Sequence, residues 1–183
     1  LDDLLAAYPE GVREKTLDDK SVPLMLSLWS GSHSSIPVTL TERFPAAASV
    51  PNIHGYTVLI YAFSNATAEE AAAAVFDADP DSIAHKDRNG NEPIVYLQKR
   101  VIEHGGGGCW SDAFMARVLL HSLPFDPVTG ELRDRPRSYA LTTALEGFED
   151  KLLGAIELVL DKCAAHIEQL ANVTDKLGRR AID

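Results

Sequence analysis

The chain contains few of the residue types that define several large protein classes. Its only two cysteines, Cys109 and Cys163, are too few for a disulfide-rich secreted scaffold. Lysine and arginine number 17 against 27 aspartates and glutamates, and the net charge of −10 argues against nucleic acid or an anionic membrane as the main partner. No apolar run approaches the roughly 20 residues that a membrane-spanning helix needs. The 45% of hydrophobic residues nevertheless suffices for a folded core.

Patterns that would bind a metal or a cofactor are also missing. The six histidines are scattered singly, with no pair at metal-ligand spacing on one helix. The glycines at 105–108 are not followed by Gly-Lys-Ser/Thr, so a phosphate-binding loop is not indicated. Paired carboxylates such as Asp18 and Asp19 occur at turns and helix ends, where acidic residues have structural roles. We therefore expect no metal, no cofactor and no acid–base site.

What the sequence does contain is an internal repeat. Residues 86–94, KDRNGNEPI, combine a tight-turn sequence with a proline that can occupy the first position of a helix. Weaker copies begin at Asp18, Asn52 and Asp175. Pro23, Val58 and Pro93 are 35 residues apart, a period typical of stacked helical repeats.

A second set of prolines repeats at nearly the same period. Pro9 and Pro45 are 36 residues apart, and Pro80 follows 35 residues later. Because a proline shortly after a helix prevents its continuation, each unit reads as a turn, a short inner helix, an outer helix and a proline-marked exit. The predicted units are approximately 15–49, 50–84, 85–125 and 126–170, with partial units at 1–14 and 171–183.

These units resemble divergent ankyrin repeats, whose consensus runs Asp-x-x-Gly-x-Thr-Pro-Leu-His-x-Ala. The unit at 52–62 keeps Gly55, Leu59 and Ala62, and the unit at 87–97 keeps Gly90 and Pro93. The first unit has Lys20 where the consensus has glycine. The resemblance implies an all-α solenoid of helix-turn-helix units with short hairpin-like turns, forming one domain over residues 1–183. It also implies an intracellular location, in the cytoplasm or nucleus, and a role in protein binding.

The same pattern predicts the individual helices. Inner helices are expected at 23–29, 57–63, 93–103 and 139–146, and outer helices at 36–44, from Thr67 onward, at 111–122 and at 148–166. Thr67 and Glu70 have the spacing of a capping box. Residues 123–137 are predicted to be a surface loop because they contain three prolines and alternating charges. Since the chain starts at Leu1 and stops as a fifth unit opens, we expect it to be part of a longer protein.

Cys109 is the strongest enzymatic candidate, because it follows four glycines and would begin an outer helix whose dipole stabilises a thiolate. Papain-like proteases also have Cys-Trp after glycine, but they need a histidine about 130 to 150 residues downstream. Only 74 residues follow Cys109. A buried structural cysteine is therefore favoured, and no catalytic activity is expected.

The turn tips and the inner helices of stacked repeats form an extended binding surface. We therefore predict a protein–protein interaction scaffold whose partner has a basic patch. The candidate contact residues are Asp19, Lys20, His54, Tyr56, Arg88, Asn89, Asn91, Lys176 and Arg179. Tyr56, Arg88 and Arg179 are preferred, since turn chemistry does not require them and Tyr and Arg are common hot-spot residues. The alternative is an architectural or autoinhibitory segment of a multidomain protein such as a kinase; a thiol enzyme centred on Cys109 is the third.

Overall fold

The computed structural model describes residues 1–65, 67–104, 110–134, 138–147, 153–173 and 180, with the side chains of 100–104 and 145–147 excepted. The described residues are mainly helical and contain no β-strand, and an isolated bridge joins Phe125 and Leu132. The α-helices are α1 (Asp2–Ala7), α2 (Pro23–Trp29), α3 (Ser35–Arg43), α4 (Val58–Asn65), α5 (Glu69–Ala78), α6 (Pro93–His104), α7 (Asp112–Ser122), α8 (Ala140–Gly147), α9 (Leu153–Lys162) and α10 (Ile167–Ala171).

The helix N-termini can be compared with the local sequence signals that predict them. Pro23 and Pro93 begin α2 and α6, where a missing N–H costs no helical hydrogen bond. The Ser111 hydroxyl caps α7 by accepting a hydrogen bond from the backbone N–H of Phe114 at 3.2 Å. The capping box expected at Thr67 is absent, because α5 begins after Ala68 and the buried Thr67 hydroxyl makes no hydrogen bond with any described residue.

Three of the helix exits have the same backbone geometry. Tyr8, Phe44 and Asp79 end α1, α3 and α5 with φ between −141° and −149° and ψ between 71° and 80°. Each is followed by a 3-10 turn that starts with proline, at Pro9–Arg13, Pro45–Ser49 and Pro80–Ala84. The proline signals in the sequence therefore correspond to one recurring structure.

The helices pack as two rows. In the inner row α4 lies between α2 and α6, and α6 also contacts α8. In the outer row α5 lies between α3 and α7, and α7 packs on α9. The core between the rows is formed by fully buried side chains, among them Leu24, Met25, Leu59, Phe63, Val75, Ile94, Val118 and Leu119. None of the helices found in the described residues could span a lipid bilayer, given their lengths and hydropathy.

The described part of the predicted surface loop at 123–137 packs more closely against the rest of the protein than expected. Leu123 and Phe125 are fully buried. Arg133 holds the segment against the end of α7 by donating to the carbonyl oxygens of Leu120 and His121, both at 3.4 Å. The loop prediction followed the prolines and charges and gave too little weight to the two large apolar side chains between them. Residues 135–137 lie outside the described part.

The last predicted helix, 148–166, is interrupted in the structure. The helix α9 ends at Lys162, a 3-10 turn covers Ala164–His166, and α10 starts at Ile167, after His166 leaves the helical conformation with φ of −128° and ψ of 34°. The apolar side chains of this segment therefore do not form one continuous buried stripe. Val159 and Cys163 are buried, whereas Leu153, Leu160 and Ile167 are exposed.

Candidate partner-binding face

Three turns precede the inner helices α2, α4 and α6 at equivalent positions of the chain. Gly55 and Gly90 have φ angles of 78° and 79°, and Lys20, 35 residues before Gly55, has φ of 61°. This left-handed conformation is easy for glycine and costs other residues about 1 kcal/mol or more. Lys20 therefore adopts the glycine conformation of the consensus without being glycine.

Backbone hydrogen bonds join each turn to the next. The N–H of Ile53 donates to the carbonyl oxygen of Asp19 at 2.9 Å. The N–H of Arg88 donates to the carbonyl oxygen of His54 at 3.2 Å. The three turns consequently form one edge, and side chains from neighbouring turns lie next to each other.

Side chains at the base of two turns fix their shape. The Asn52 amide oxygen accepts hydrogen bonds from the N–H groups of His54 and Tyr56 at 2.9 and 3.0 Å. Asp87, 35 residues later, accepts equivalent bonds from Asn89 and Asn91 at 2.8 and 2.9 Å. Asn89 and Asn91 thus serve the turn through their backbone N–H groups.

In the first turn Asp19 has the stabilising role. Its carboxylate accepts hydrogen bonds from the Thr16 hydroxyl and from the N–H and hydroxyl of Ser21. These bonds, the one from Thr16 first, lower the pKa of Asp19 to about 2. Asp19 is therefore ionised at neutral pH, and its carboxylate is already engaged within the turn.

Four aromatic side chains lie on the inner helices or just before them, and we call them the aromatic row: Trp29, Tyr61, Tyr56 and Tyr96. Successive ring centroids are 6.2, 6.1 and 5.6 Å apart, and neighbouring rings meet edge to face. This arrangement is favoured by the ring quadrupoles. His54 extends the row from the turn side, with its ring 5.8 Å from that of Tyr56.

Hydrogen bonds with Asn52 and Asp87 fix the positions of Tyr61 and Tyr96 in the aromatic row. The Tyr61 hydroxyl accepts from the Asn52 amide at 3.1 Å, and the Tyr96 hydroxyl donates to Asp87. Burial and hydrogen bonding with Asp87 and Tyr56 raise the pKa of Tyr96. Burial opposes ionisation of Asp87, but the bonds from Tyr96 and from backbone N–H groups outweigh it and lower its pKa. The rings are thus a preorganised surface.

One end of the aromatic row is open to solvent. Trp29 is 68% exposed, and Leu26, one turn earlier on α2, is 44% exposed. At the opposite end, the Lys99 ammonium lies 5.4 Å from the centre of the Tyr96 ring. Along the aromatic row, the described surface therefore changes from an exposed ring at Trp29 to a ring at Tyr96 that a cation covers.

Asp19 and Asn91 stabilise the turns, and the other predicted contact residues divide into three groups. Tyr56 belongs to the aromatic row, and His54 contacts it. Lys20, Arg88 and Asn89 are exposed on the turn tips, where no described residue pairs with the charge of Lys20 or Arg88. Lys176 and Arg179 lie outside the described residues, as does Cys109.

Sequence reasoning missed Trp29, Tyr61 and Tyr96. A signal was available for two of them, because Leu26, Tyr61 and Tyr96 are 35 residues apart and so occupy the same position of successive inner helices. Trp29 occupies the position of Ser64 and Lys99, which share no chemical character. Its proximity to Tyr61 depends on how α2 packs against α4.

A cleft lies on the outer row between α5, α7 and α9. This cleft of about 600 Å³ has an apolar floor that includes Phe76, Leu120 and Leu158. Two of its cations are paired: Arg117 lies 3.0 Å from Asp77, and Arg133 lies 3.0 Å from Asp126. Among the described residues, no group of histidine, cysteine and carboxylate side chains could hold a metal ion.

Comparison with models of known protein families gives no match to the sequence. A search of curated proteins likewise finds none with significant similarity.

Proposed function

We propose that this chain is a protein-recognition module built from stacked ankyrin-like repeats, and that its partner binds across the aromatic row and the turn tips. The module has no catalytic activity of its own. The aromatic row carries this proposal, because four preorganised rings next to an exposed leucine are a surface of the kind that protein partners cover.

The repeat architecture is supported by recurrence at the 35-residue period. The left-handed turn positions, the hydrogen bonds of Asn52 and Asp87 and the proline-marked exits all recur at equivalent places. Each inner helix buries its apolar side against the neighbouring inner helix and the outer row. Such nearest-neighbour packing is typical of repeat proteins.

The binding role is supported by exposure and chemistry together. Trp29 and Leu26 place large apolar surface in solvent on the same helix, and the Trp29 ring adjoins the half-buried Tyr61. Contiguous exposed apolar surface marks interaction sites, and tryptophan, tyrosine and arginine dominate binding hot spots. Arg88 at the turn tip adds an exposed guanidinium. The net charge of −10 favours a partner with a basic patch.

A second candidate function is an architectural or autoinhibitory one within a larger protein. It is favoured by exposed leucines on α9 in the outer row, Leu153, Leu158 and Leu160. In that case a neighbouring domain of the parent chain would cover α9, and the aromatic row would have no separate partner.

Site-specific photo-crosslinking tests the proposal. A benzophenone amino acid replaces Leu26 or Ser64 beside the aromatic row, Leu158 on α9, or Glu42 on α3 as an exposed control. We expect one protein to be crosslinked in native lysate from both Leu26 and Ser64 but not from Glu42. A product found only from Leu158 would favour the architectural function. The same products from every position, or none, would contradict both.

A further inference from the structure

We infer that the occupant of the aromatic row is a basic, extended segment of the partner, whose lysine or arginine side chains stack on Trp29 and Tyr61. This inference rests on the proposed function and specifies the partner's chemistry. It starts from a contact within the chain itself, between Lys99 and Tyr96.

The contact shows that the row accepts a cation. The Lys99 ammonium sits over the Tyr96 ring at 5.4 Å from its centre, within the roughly 6 Å at which a cation is attracted to the ring face. No cation of the described residues lies over Trp29 or Tyr61. Tryptophan is the strongest of the aromatic residues in this interaction. The open end of the row is thus the better cation site.

The dimensions suit an extended segment. Three steps of 5.6 to 6.2 Å separate the ring centres from Trp29 to Tyr96. A chain that rises about 3.1 to 3.4 Å per residue passes roughly one ring every two residues. Alternate side chains of an extended segment point to the same side, so every second residue could meet a ring.

Charge complementarity selects a basic occupant and gives its direction. The chain has a net charge of −10, which attracts cations at long range. Within the face, however, Lys99 repels a positive side chain at the Tyr96 end, and the exposed charges of Lys20 and Arg88 repel one at the turn tips. The basic residues of the segment therefore bind toward Trp29, and its neutral or acidic residues lie toward Tyr96 and Lys99.

Synthetic peptides test this inference on the full chain. Three fluorescein-labelled octapeptides are titrated by anisotropy: alternating Arg-Ser, alternating Glu-Ser, and a neutral proline-rich sequence. We expect the Arg-Ser peptide to bind most tightly. The Trp29→Leu variant, which keeps an apolar side chain but removes the ring, is expected to raise its Kd by roughly two- to fivefold, as for one exposed cation–π contact. Tyr61→Leu should weaken binding in the same direction.

A pair of lysine variants separates local contact from overall charge. Lys99→Met removes a positive charge from the aromatic row, and Lys162→Met removes one from the exposed end of α9. Both change the net charge equally. We expect Lys99→Met to lower the Kd of the Arg-Ser peptide more than Lys162→Met does, because only Lys99 competes for a ring. Equal changes in Kd would mean that peptide binding depends on net charge alone, and they would overturn the inference.

The remaining outcomes are also decisive. Tighter binding of the Glu-Ser or the proline-rich peptide, or an unchanged Kd in Trp29→Leu, would overturn the basic occupant. Trp29 is 68% exposed, so its substitution should leave the fold intact, which far-ultraviolet circular dichroism verifies even if Tyr61→Leu unfolds. If crosslinking from Leu26 yields a partner while all peptides fail, the inference is wrong and the recognition function stands.

Discussion

Gly55 lies so close to Arg88 that a β-carbon at position 55 would be only 3.1 Å from the Arg88 backbone nitrogen. It would also be 3.2 Å from the α-carbon of Asp87. Both neighbours are backbone atoms of the next turn, so they cannot move away as a side chain could. The contact explains how the turns approach closely enough for the N–H of Arg88 to bond the carbonyl oxygen of His54.

The first prediction compares two glycines with the same backbone angle. Gly55→Ala and Gly90→Ala both place alanine at φ near 80°, which costs about 1–2 kcal/mol. Only Gly55 is crowded, since nothing lies within 4 Å of a β-carbon on Gly90. We expect Gly55→Ala to lower the free energy of unfolding by about 1 kcal/mol more than Gly90→Ala. Urea unfolding measures both, and equal losses would refute close packing between the turns.

The second prediction concerns the hydroxyl groups of Tyr96 and Tyr61 in the aromatic row. Tyr96→Phe removes a hydrogen bond to the ionised, buried Asp87, which we expect to cost about 1.5–3 kcal/mol. Tyr61→Phe removes only a neutral bond from the Asn52 amide and should cost about 0.5–1.5 kcal/mol. Chemical denaturation of the two variants gives the comparison. A larger loss for Tyr61→Phe would contradict the described role of Asp87.

The third prediction tests the register of the inner row. Leu59 is fully buried in α4, whereas Val128 is 80% exposed. We expect Leu59→Ala to cost about 2–5 kcal/mol through lost burial and the cavity left behind. Val128→Ala should change stability by no more than about 0.5 kcal/mol. Similar small losses at both positions, measured by thermal and urea unfolding, would show that Leu59 is not in the core.

The fourth prediction follows from the buried carboxyl group of Glu92. One of its oxygens accepts hydrogen bonds from the Ser138 hydroxyl at 3.0 Å and the Tyr139 N–H at 2.9 Å, linking α6 to α8. The other lies 4.0 Å from the Lys86 nitrogen and accepts no hydrogen bond from the described residues. Burial raises the pKa of Glu92, and the bonds from Tyr139 and Ser138 and the charge of Lys86 only partly oppose it.

Because the folded-state pKa is raised, the protonated form of Glu92 favours folding. This contribution is complete below the unfolded pKa of about 4.3 and is lost as the pH rises through the folded pKa. Glu92→Gln does not ionise, so we expect its stability relative to wild type to improve from pH 3 to pH 7. Asp19→Asn is the control with the opposite sign, since the pKa of Asp19 is lowered to about 2 and its contribution is lost on acidification. Urea unfolding at pH 3 and pH 7 measures the stability of both variants relative to wild type. A change of the same sign in the two variants would contradict the raised pKa of Glu92.

Part of the fold followed directly from sequence signals. The bounds of α2 agree with the prediction at both ends, because Pro23 begins the helix and the polar residues after Trp29 end it. The turns at Asn52 and Asp87 were predicted from residues that bond their own backbone, and the structure has these bonds. Such signals act between residues close in the chain, so no tertiary information is needed to read them.

Other features depended on contacts between distant residues. Thr67 and Glu70 have the spacing of a capping box, yet Trp110, 43 residues away from Thr67, donates to the Thr67 carbonyl oxygen at 2.6 Å. The Glu69 carboxylate binds Ser111. These long-range bonds accompany a helix start one residue later than the capping-box pattern indicates.

The sequence by itself determined where the chain turns and which positions are equivalent, since both depend on local backbone preferences that repeat every 35 residues. Only the tertiary structure decided that Trp29, Tyr56, Tyr61 and Tyr96 form one row. Their distances are set by the packing of α2, α4 and α6 and by the approach of Gly55 to Arg88. That packing depends on buried side chains from several helices acting together, and no single stretch of the sequence encodes it.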